Sequence, residues 1–221
     1  MVEHGAGMEW RVFFARNSFP ELDARSLFAA ELDGRQDFPI EHRIDKYYCA
    51  TEDVGIKLRG ERKLEMKVCL GRFPSRVEQW TKMGLSRGPG APLSSALEPF
   101  KQMRPVQHAL SSAHLAEGFE PPMVTTDKHR FNVGIAGCSV EQCDLTVTVG
   151  PTQQALAPYR SFAIEGPDRA AVERLVGTLC TRLPPALTHP TATEGQPALG
   201  QGIMGFPAFV VALEQQGRQQ H

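Results

Sequence analysis

Gly55-Ile56-Lys57-Leu58-Arg59 and Leu64-Glu65-Met66-Lys67-Val68-Cys69-Leu70, linked across Gly60-Glu61-Arg62, decide the fold. In the first segment Lys57 and Arg59 alternate with Ile56 and Leu58; in the second, Glu65 and Lys67 alternate with Leu64, Met66, Val68 and Leu70. A period of two puts successive side chains on opposite faces of a strand. Two such strands joined by so short a turn pair as an antiparallel hairpin. Lys57, Arg59, Glu65 and Lys67 therefore converge on one face and the apolar residues on the other. A lone hairpin is marginal in water, so further strands must flank it.

The same pattern recurs on both sides. Upstream, Glu9-Trp10-Arg11-Val12-Phe13-Phe14 sets Trp10, Val12 and Phe14 against Glu9 and Arg11, and Arg43-Ile44-Asp45-Lys46-Tyr47-Tyr48-Cys49 is a second β-rich run. Downstream, strands are predicted at 77–85, at 124–133 with Lys128 and Arg130 on one face, at 143–149 with Asp144, Thr146 and Thr148 alternating with Leu145 and Val147, and at 159–165. Asn17–Gly34 reads as a short helix or irregular cap, and 94–122 as a mixed region with a helix-compatible stretch at Ala109–Glu117. Gly166-Pro167-Asp168 announces a helix whose Val172, Leu175, Val176, Leu179 and Leu183 recur at helical spacing, ended by Pro184-Pro185. Residues 184–205 read as a Pro- and Gly-rich loop, Phe206–Leu213 as an apolar segment that docks on the body, and 214–221 as a solvated end. The fold class expected from these elements is α+β: about eight antiparallel strands with a few flanking helices, as one domain over 1–183 with 184–221 packing on it.

Composition agrees with a globular chain. Of 221 residues, 41% are hydrophobic and 22% charged, neither a disordered nor a fibrous balance. Apolar runs such as Phe206–Leu213 fall far short of the roughly 20 residues that span a bilayer. Met1–Met8 has no basic-then-apolar layout, so no membrane partner and a cytoplasmic location are expected. Five cysteines, an odd number at irregular spacing, read as buried thiols. The net charge of −1 excludes a protein that holds nucleic acid by broad phosphate neutralisation. Yet from Glu41 to Arg87 eleven Lys and Arg face seven Asp and Glu, so the middle of the chain is basic and the remainder acidic. A basic run has two readings: a solvated sheet face or a site for a polyanion.

Several motifs fail on context. Gly200-Gln201-Gly202-Ile203-Met204-Gly205 satisfies GxGxxG, but no strand precedes it and no βαβ unit fits before His221. Cys138 and Cys143 lack the second ligand pair of a closed zinc site, the histidines form no HExxH, and there is no GxSxG or P-loop.

In order and spacing the motifs resemble the CYTH superfamily, the triphosphate tunnel metalloenzymes, whose antiparallel β-barrels act on triphosphates or related phosphoanions. Arg43–Tyr48 looks like that family's D-x-Y-[YF] strand, Lys57-Leu58-Arg59 like its [KR]-x-R strand, and Leu64–Lys67 like the strand ending in lysine. Lys128-His129-Arg130 looks like a later basic strand, Asp144 like the acid of the next strand, and Phe162–Glu165 like the strand with an inward acid. The resemblance covers roughly Met8 to Leu183. It implies a phosphate-binding set of Arg11, Lys57, Arg59, Lys67, Lys128 and Arg130, and Glu9, Glu65, Asp144 and Glu165 as ligands for Mg or Mn. It implies a small phosphorylated molecule or inorganic polyphosphate as partner, and leaves the catalytic residues unassigned. The departure lies in the family's ExExK signature, here Glu9-Trp10-Arg11-Val12-Phe13: arginine stands where the second acid belongs and phenylalanine where the lysine does. A metal-dependent hydrolase, a silent phosphoanion binder and a β-barrel interaction protein remain open on the sequence.

Overall fold

The computed structural model describes residues 3–33, 38–60, 62–85, 96–100, 102–111, 123–150, 153–188 and 202–219. Its strands are β1 (Glu3–Ala15), β2 (Glu41–Ala50), β3 (Val54–Arg59), β4 (Lys63–Arg72), β5 (Glu78–Gly84), β6 (Val124–Ile135), β7 (Cys138–Val149), β8 (Gln154–Ala155), β9 (Tyr159–Gly166) and β10 (Gly202–Ile203). The order β1-β5-β4-β3-β2-β6-β7 closes on itself because β9 pairs with both β7 and β1, giving an eight-stranded barrel in which every pairing is antiparallel. β8 and β10 are two-residue additions to β7 and β1. Closure removes the exposed edges that invite aggregation.

The period-two pattern becomes an inside and an outside. On β1 the even positions Trp10, Val12 and Phe14 face outward, where they are buried by the Arg169–Arg182 helix through Val172, Leu175, Val176 and Leu179, and by Leu22, Leu27, Phe28 and Leu32. Asp168 caps that helix, accepting from the Ala170 N–H at 2.8 Å. A second outer layer covers β3, β4 and β5, where Ile56, Met66, Val68 and Met83 pack on Leu97, Phe100 and Val106, the last from the Arg104–Ser111 helix. Met66 and Val68 keep the predicted face, but Leu70 is 50% exposed, because the register shifts between Cys69 and Gly71 against β5 and breaks the alternation. The outer wall of β2 and β6 carries His42, Ile44, Asp127 and His129, none of them buried.

Two predicted boundaries move. β6 and β7 run on to meet at Ala136–Gly137, whose positive φ values of 48° and 79° make the tight turn of a two-residue hairpin, so β7 starts at Cys138 and gains Glu141. The C-terminal segment is a helix, Phe206–Gln219, whose apolar residues up to Leu213 fill one end of the barrel. Phe209 stacks on Phe13 at 3.8 Å between ring centroids and 3° between planes, and Phe206 lies parallel to Tyr47 at 5.3 Å. Tyr159 donates to Gln216 Oε1 at 3.0 Å, fixing the helix's last turns. Two glycines admit this helix. A Cβ on Gly55 would stand 2.9 Å from Pro207 Cγ, and one on Gly205 would stand 2.5 Å from Glu78 Oε2 and 2.6 Å from Trp80 Cζ2. Gly205 of the GxGxxG run thus serves a close approach of backbone to side chain.

Candidate functional site

Above the helical floor the lumen is polar. Arg11 of β1, Arg43 of β2, Lys57 and Arg59 of β3, Lys67 of β4, Lys82 of β5, and Lys128 and Arg130 of β6 line one cavity with Glu65, Glu141 and Glu165. Phe206 and Pro207 line it from below. Glu9 and Asp45 lie behind these, 3% and 0% exposed. Eight cations therefore meet five carboxylates in the interior, while at the rim exposed Glu41 and Lys63 add one of each sign. The excess is three positive charges. The cavity holds about 90 Å³ and leads to a wider mouth of about 630 Å³, which shares Arg59, Glu65, Lys82 and Glu165.

Two buried groups organise this charge. Around Asp45, the Lys57 and Lys128 ammonium groups donate at 3.0 and 2.8 Å, and Arg43 Nη2 at 3.3 Å. Burial by itself would raise the Asp45 pKa, but Lys128, Lys57 and Arg43 hold the carboxyl far below the usual range. Arg43 Nε and Asp45 Oδ1 face each other at 3.0 Å without a hydrogen bond, leaving both atoms buried and unsatisfied. Burial and the charge of Lys128 push the Lys57 pKa down to about 7 against the pull of Asp45, so one lysine of the lumen titrates near neutrality. Lys128 is lowered too, by burial first; its ammonium also sits 3.7 Å from the centre of the Phe206 ring.

Arg11 is the second organiser. It is 5% exposed and reaches Glu9 at 3.2 Å, Glu141 at 2.7 Å, Glu165 at 3.4 Å and Ser161 Oγ at 3.2 Å. Glu9 and Glu165 are direct cross-strand neighbours, an arrangement of like charges that needs a cation between them. Lys67 donates to Glu9 at 2.6 Å, Lys82 to Glu165 at 2.9 Å and Arg130 to Glu141 at 2.6 Å, so each acid has a second cation. Burial would raise both Glu9 and Glu141, yet Lys67 and Arg11 keep Glu9 low, and Arg11 and Arg130 hold Glu141 near about 2.

The structure brings Arg11, Lys57, Arg59, Lys67, Lys128 and Arg130 together on one cavity, with Glu65 and Glu165 on its wall and Glu9 behind. It places Asp144 elsewhere. Asp144 has the opposite parity to Glu141 on β7, faces outward and is gripped by Arg160 at 2.6 and 3.0 Å. Glu141 occupies the inward position, and the sequence reading passes over it because it starts the strand five residues too late. Arg43 and Lys82 are also unforeseen; the odd-position rule on β2, together with Asp45, is the signal that reaches Arg43. Cys143 points inward as well, but burial pushes its thiol up to about 12, so it is no thiolate.

The donor set does not fit a divalent cation. Mg and Mn require several oxygens drawn close together, whereas among the described residues no three lumen carboxylates bring their oxygens within 4.8 Å of one another. Each lumen carboxylate is also bonded to a lysine or arginine.

No protein-family model matches the chain, nor does any curated protein. Among solved structures it is similar to one titled "putative adenylate cyclase" from Bacillus halodurans, at 12% identity and TM-score 0.41 over 85% of this chain and 96% of that one. It is also similar to the S. pombe RNA triphosphatase, at 11% identity and TM-score 0.34 over 81% of this chain and 76% of that one. For the same enzyme in complex with the Spt5 CTD the values are 11% and 0.33, over 81% and 82%. What fold and site define together is a closed antiparallel barrel with a cation-rich, blind lumen.

Proposed function

We propose that the lumen binds a multiply charged phosphoanion, as a CYTH-like tunnel that holds its ligand without a metal and without hydrolysing it. The observation that carries this reading is the convergence of eight cations on one enclosed cavity against five carboxylates. A buried excess of positive charge is costly unless an anion meets it. Arginines can grip phosphate oxygens in pairs and lysines add point charge. The small inner cavity suits the terminal phosphates of a small phosphorylated molecule or inorganic polyphosphate, with the remainder in the wider mouth. The hydrolase alternative needs Mg or Mn to neutralise developing charge and position water, and the arginine-locked acids speak against it.

Tripolyphosphate at millimolar concentration is expected to raise the unfolding midpoint equally with and without Mg, with no phosphate released. Arg59→Ala, a change at a partly exposed rim residue, is expected to reduce the shift while leaving the unliganded midpoint unchanged. No shift with tripolyphosphate or ATP sinks the reading; Mg- or Mn-dependent phosphate release turns it into the hydrolase.

The Lys57 ammonium supplies a second test. With its pKa at about 7 in the free protein, Lys57 is largely neutral at pH 8. A bound anion favours the charged form, so binding at pH 8 takes up a proton, and affinity is constant below pH 7 and falls above it. Calorimetry of tripolyphosphate in two buffers of different ionisation enthalpy will show this uptake, and Lys57→Met will lose it. Equal proton uptake in both proteins would mean that the titrating group lies on the ligand.

A further inference from the structure

The uncovered wall of the barrel holds a feature that the lumen does not use. His42 on β2 and His129 on β6 are directly opposed across the antiparallel ladder, and Asp127, two residues before His129, shares their outward face. His42 Nε2 lies 2.7 Å from Asp127 Oδ1 and His129 Nε2 3.9 Å from the same oxygen. The two imidazole rings lie nearly parallel, 4.7 Å apart and 25° between planes. One ligand atom from each of the three residues falls within 4.8 Å of the others, the only such grouping of His, Cys, Asp and Glu among the described residues.

We propose that His42, Asp127 and His129 form a site for a borderline divalent transition-metal ion, with Zn²⁺ as the type. Two neutral imidazoles and one carboxylate are the donor set of three-ligand zinc sites, whose remaining position belongs to water or an incoming ligand. The pairing of two nitrogens with one oxygen selects Zn, Ni, Cu or Co over Mg or Ca, which take oxygen. Coordination at about 2.0–2.2 Å spaces tetrahedral donors about 3.3 Å apart, so His129 Nε2 must draw in from 3.9 Å while the His42–Asp127 pair opens from 2.7 Å. The side chains are 55%, 43% and 60% exposed, so χ rotation achieves this without repacking a core. The backbone is already fixed, because His42 and His129 are held in register by seven consecutive residue pairs between β2 and β6. Their chain neighbours Arg43 and Lys128 point the other way, to Asp45. A metal here would staple β2 to β6 directly behind the buried carboxylate that gathers the lumen cations.

Zinc titration of the full reduced chain by calorimetry, in buffer free of phosphate and chelator, tests this separately from the lumen reading. Wild type is expected to bind one equivalent of Zn²⁺ more than His42→Ala/His129→Ala. Since even a hydrogen-bond partner of a metal ligand is worth about tenfold in affinity, Asp127→Asn should weaken the site by more than about tenfold. Cu²⁺ bound to wild type is expected to show hyperfine coupling to two nitrogens, absent from the double variant. The two histidines are exposed and Asp127 is half-buried on the outer wall, away from the lumen, so the variants should keep the wild-type unfolding midpoint without metal and the same tripolyphosphate response. Absence of zinc uptake by wild type, or an undiminished equivalent in the double variant, overturns the site whatever the lumen binds.

Discussion

Asp45→Asn is expected to lower the stability of the unliganded protein by about 3–5 kcal/mol, because it removes the shared anion of a buried cluster and leaves cations facing one another. For a chain of this size that corresponds to a fall in the unfolding midpoint of roughly 6–20 °C. Asp45 is fully buried and is bonded to Lys57 and Lys128 and paired with Arg43. Asparagine keeps the volume and one acceptor oxygen, so the loss reports charge and not a cavity. Without Asp45 the Lys57 ammonium, which already titrates near neutrality, loses the anion that keeps it charged, and a bound phosphoanion can take that anion's place, so tripolyphosphate should recover more of the variant's midpoint than it adds to wild type. A variant as stable as wild type would show that the three cations do not depend on Asp45; a destabilised variant that no phosphoanion rescues would show that the lumen does not receive one.

Arg11→Gln is the counterpart on the acidic side. Arg11 lies among Glu9, Glu141 and Glu165, and its loss leaves the cross-strand pair Glu9 and Glu165 with only Lys67 and Lys82 for compensation. A cost of about 3–5 kcal/mol is expected here too. The sign of the remedy is reversed, since a hard divalent ion can now stand where the guanidinium stood. Mn²⁺ or Mg²⁺ alone should raise the midpoint of Arg11→Gln and leave that of wild type unchanged, read by thermal unfolding over a metal titration into the millimolar range, since the shift grows with free metal relative to the dissociation constant. Equal metal responses in the two proteins would mean that Arg11 is not what keeps the acids from a metal.

How far the sequence reaches depends on how local the signal is. The hairpin of Lys57, Arg59, Glu65 and Lys67 is legible because alternation and a short turn fix both strand and face, whereas closure into a barrel is expected only through the family resemblance, since alternation is the same in an open and a closed sheet. Glu141 is missed because the strands are read as 124–133 and 143–149, with nothing assigned between them, when Ala136–Gly137 is a two-residue turn that lets both strands continue. Asp144 is legible as an acid on a strand, but its side of the sheet depends on a register that only the pairing with β6 and β9 sets. The helix 206–219 is legible as apolar and its destination is not, because Phe13, Tyr47 and Tyr159 come from strands far apart in the chain. The His42, Asp127 and His129 cluster leaves no trace in spacing, since a cross-strand pair has no fixed sequence separation.

The stacking of Phe13 on Phe209 has a consequence for what the barrel can accept. Among the described residues the aromatic floor closes one end of the barrel, so under the proposed function a ligand would enter and leave by the same mouth. A polymer would then not be threaded through it, and an internal phosphate of a long chain would reach the inner lysines only with its flanks against the wall. The proposed site would read a free end. Phe13, where the ExExK pattern has lysine, is part of what makes this end a cul-de-sac, and under the proposed function selectivity becomes a matter of termini.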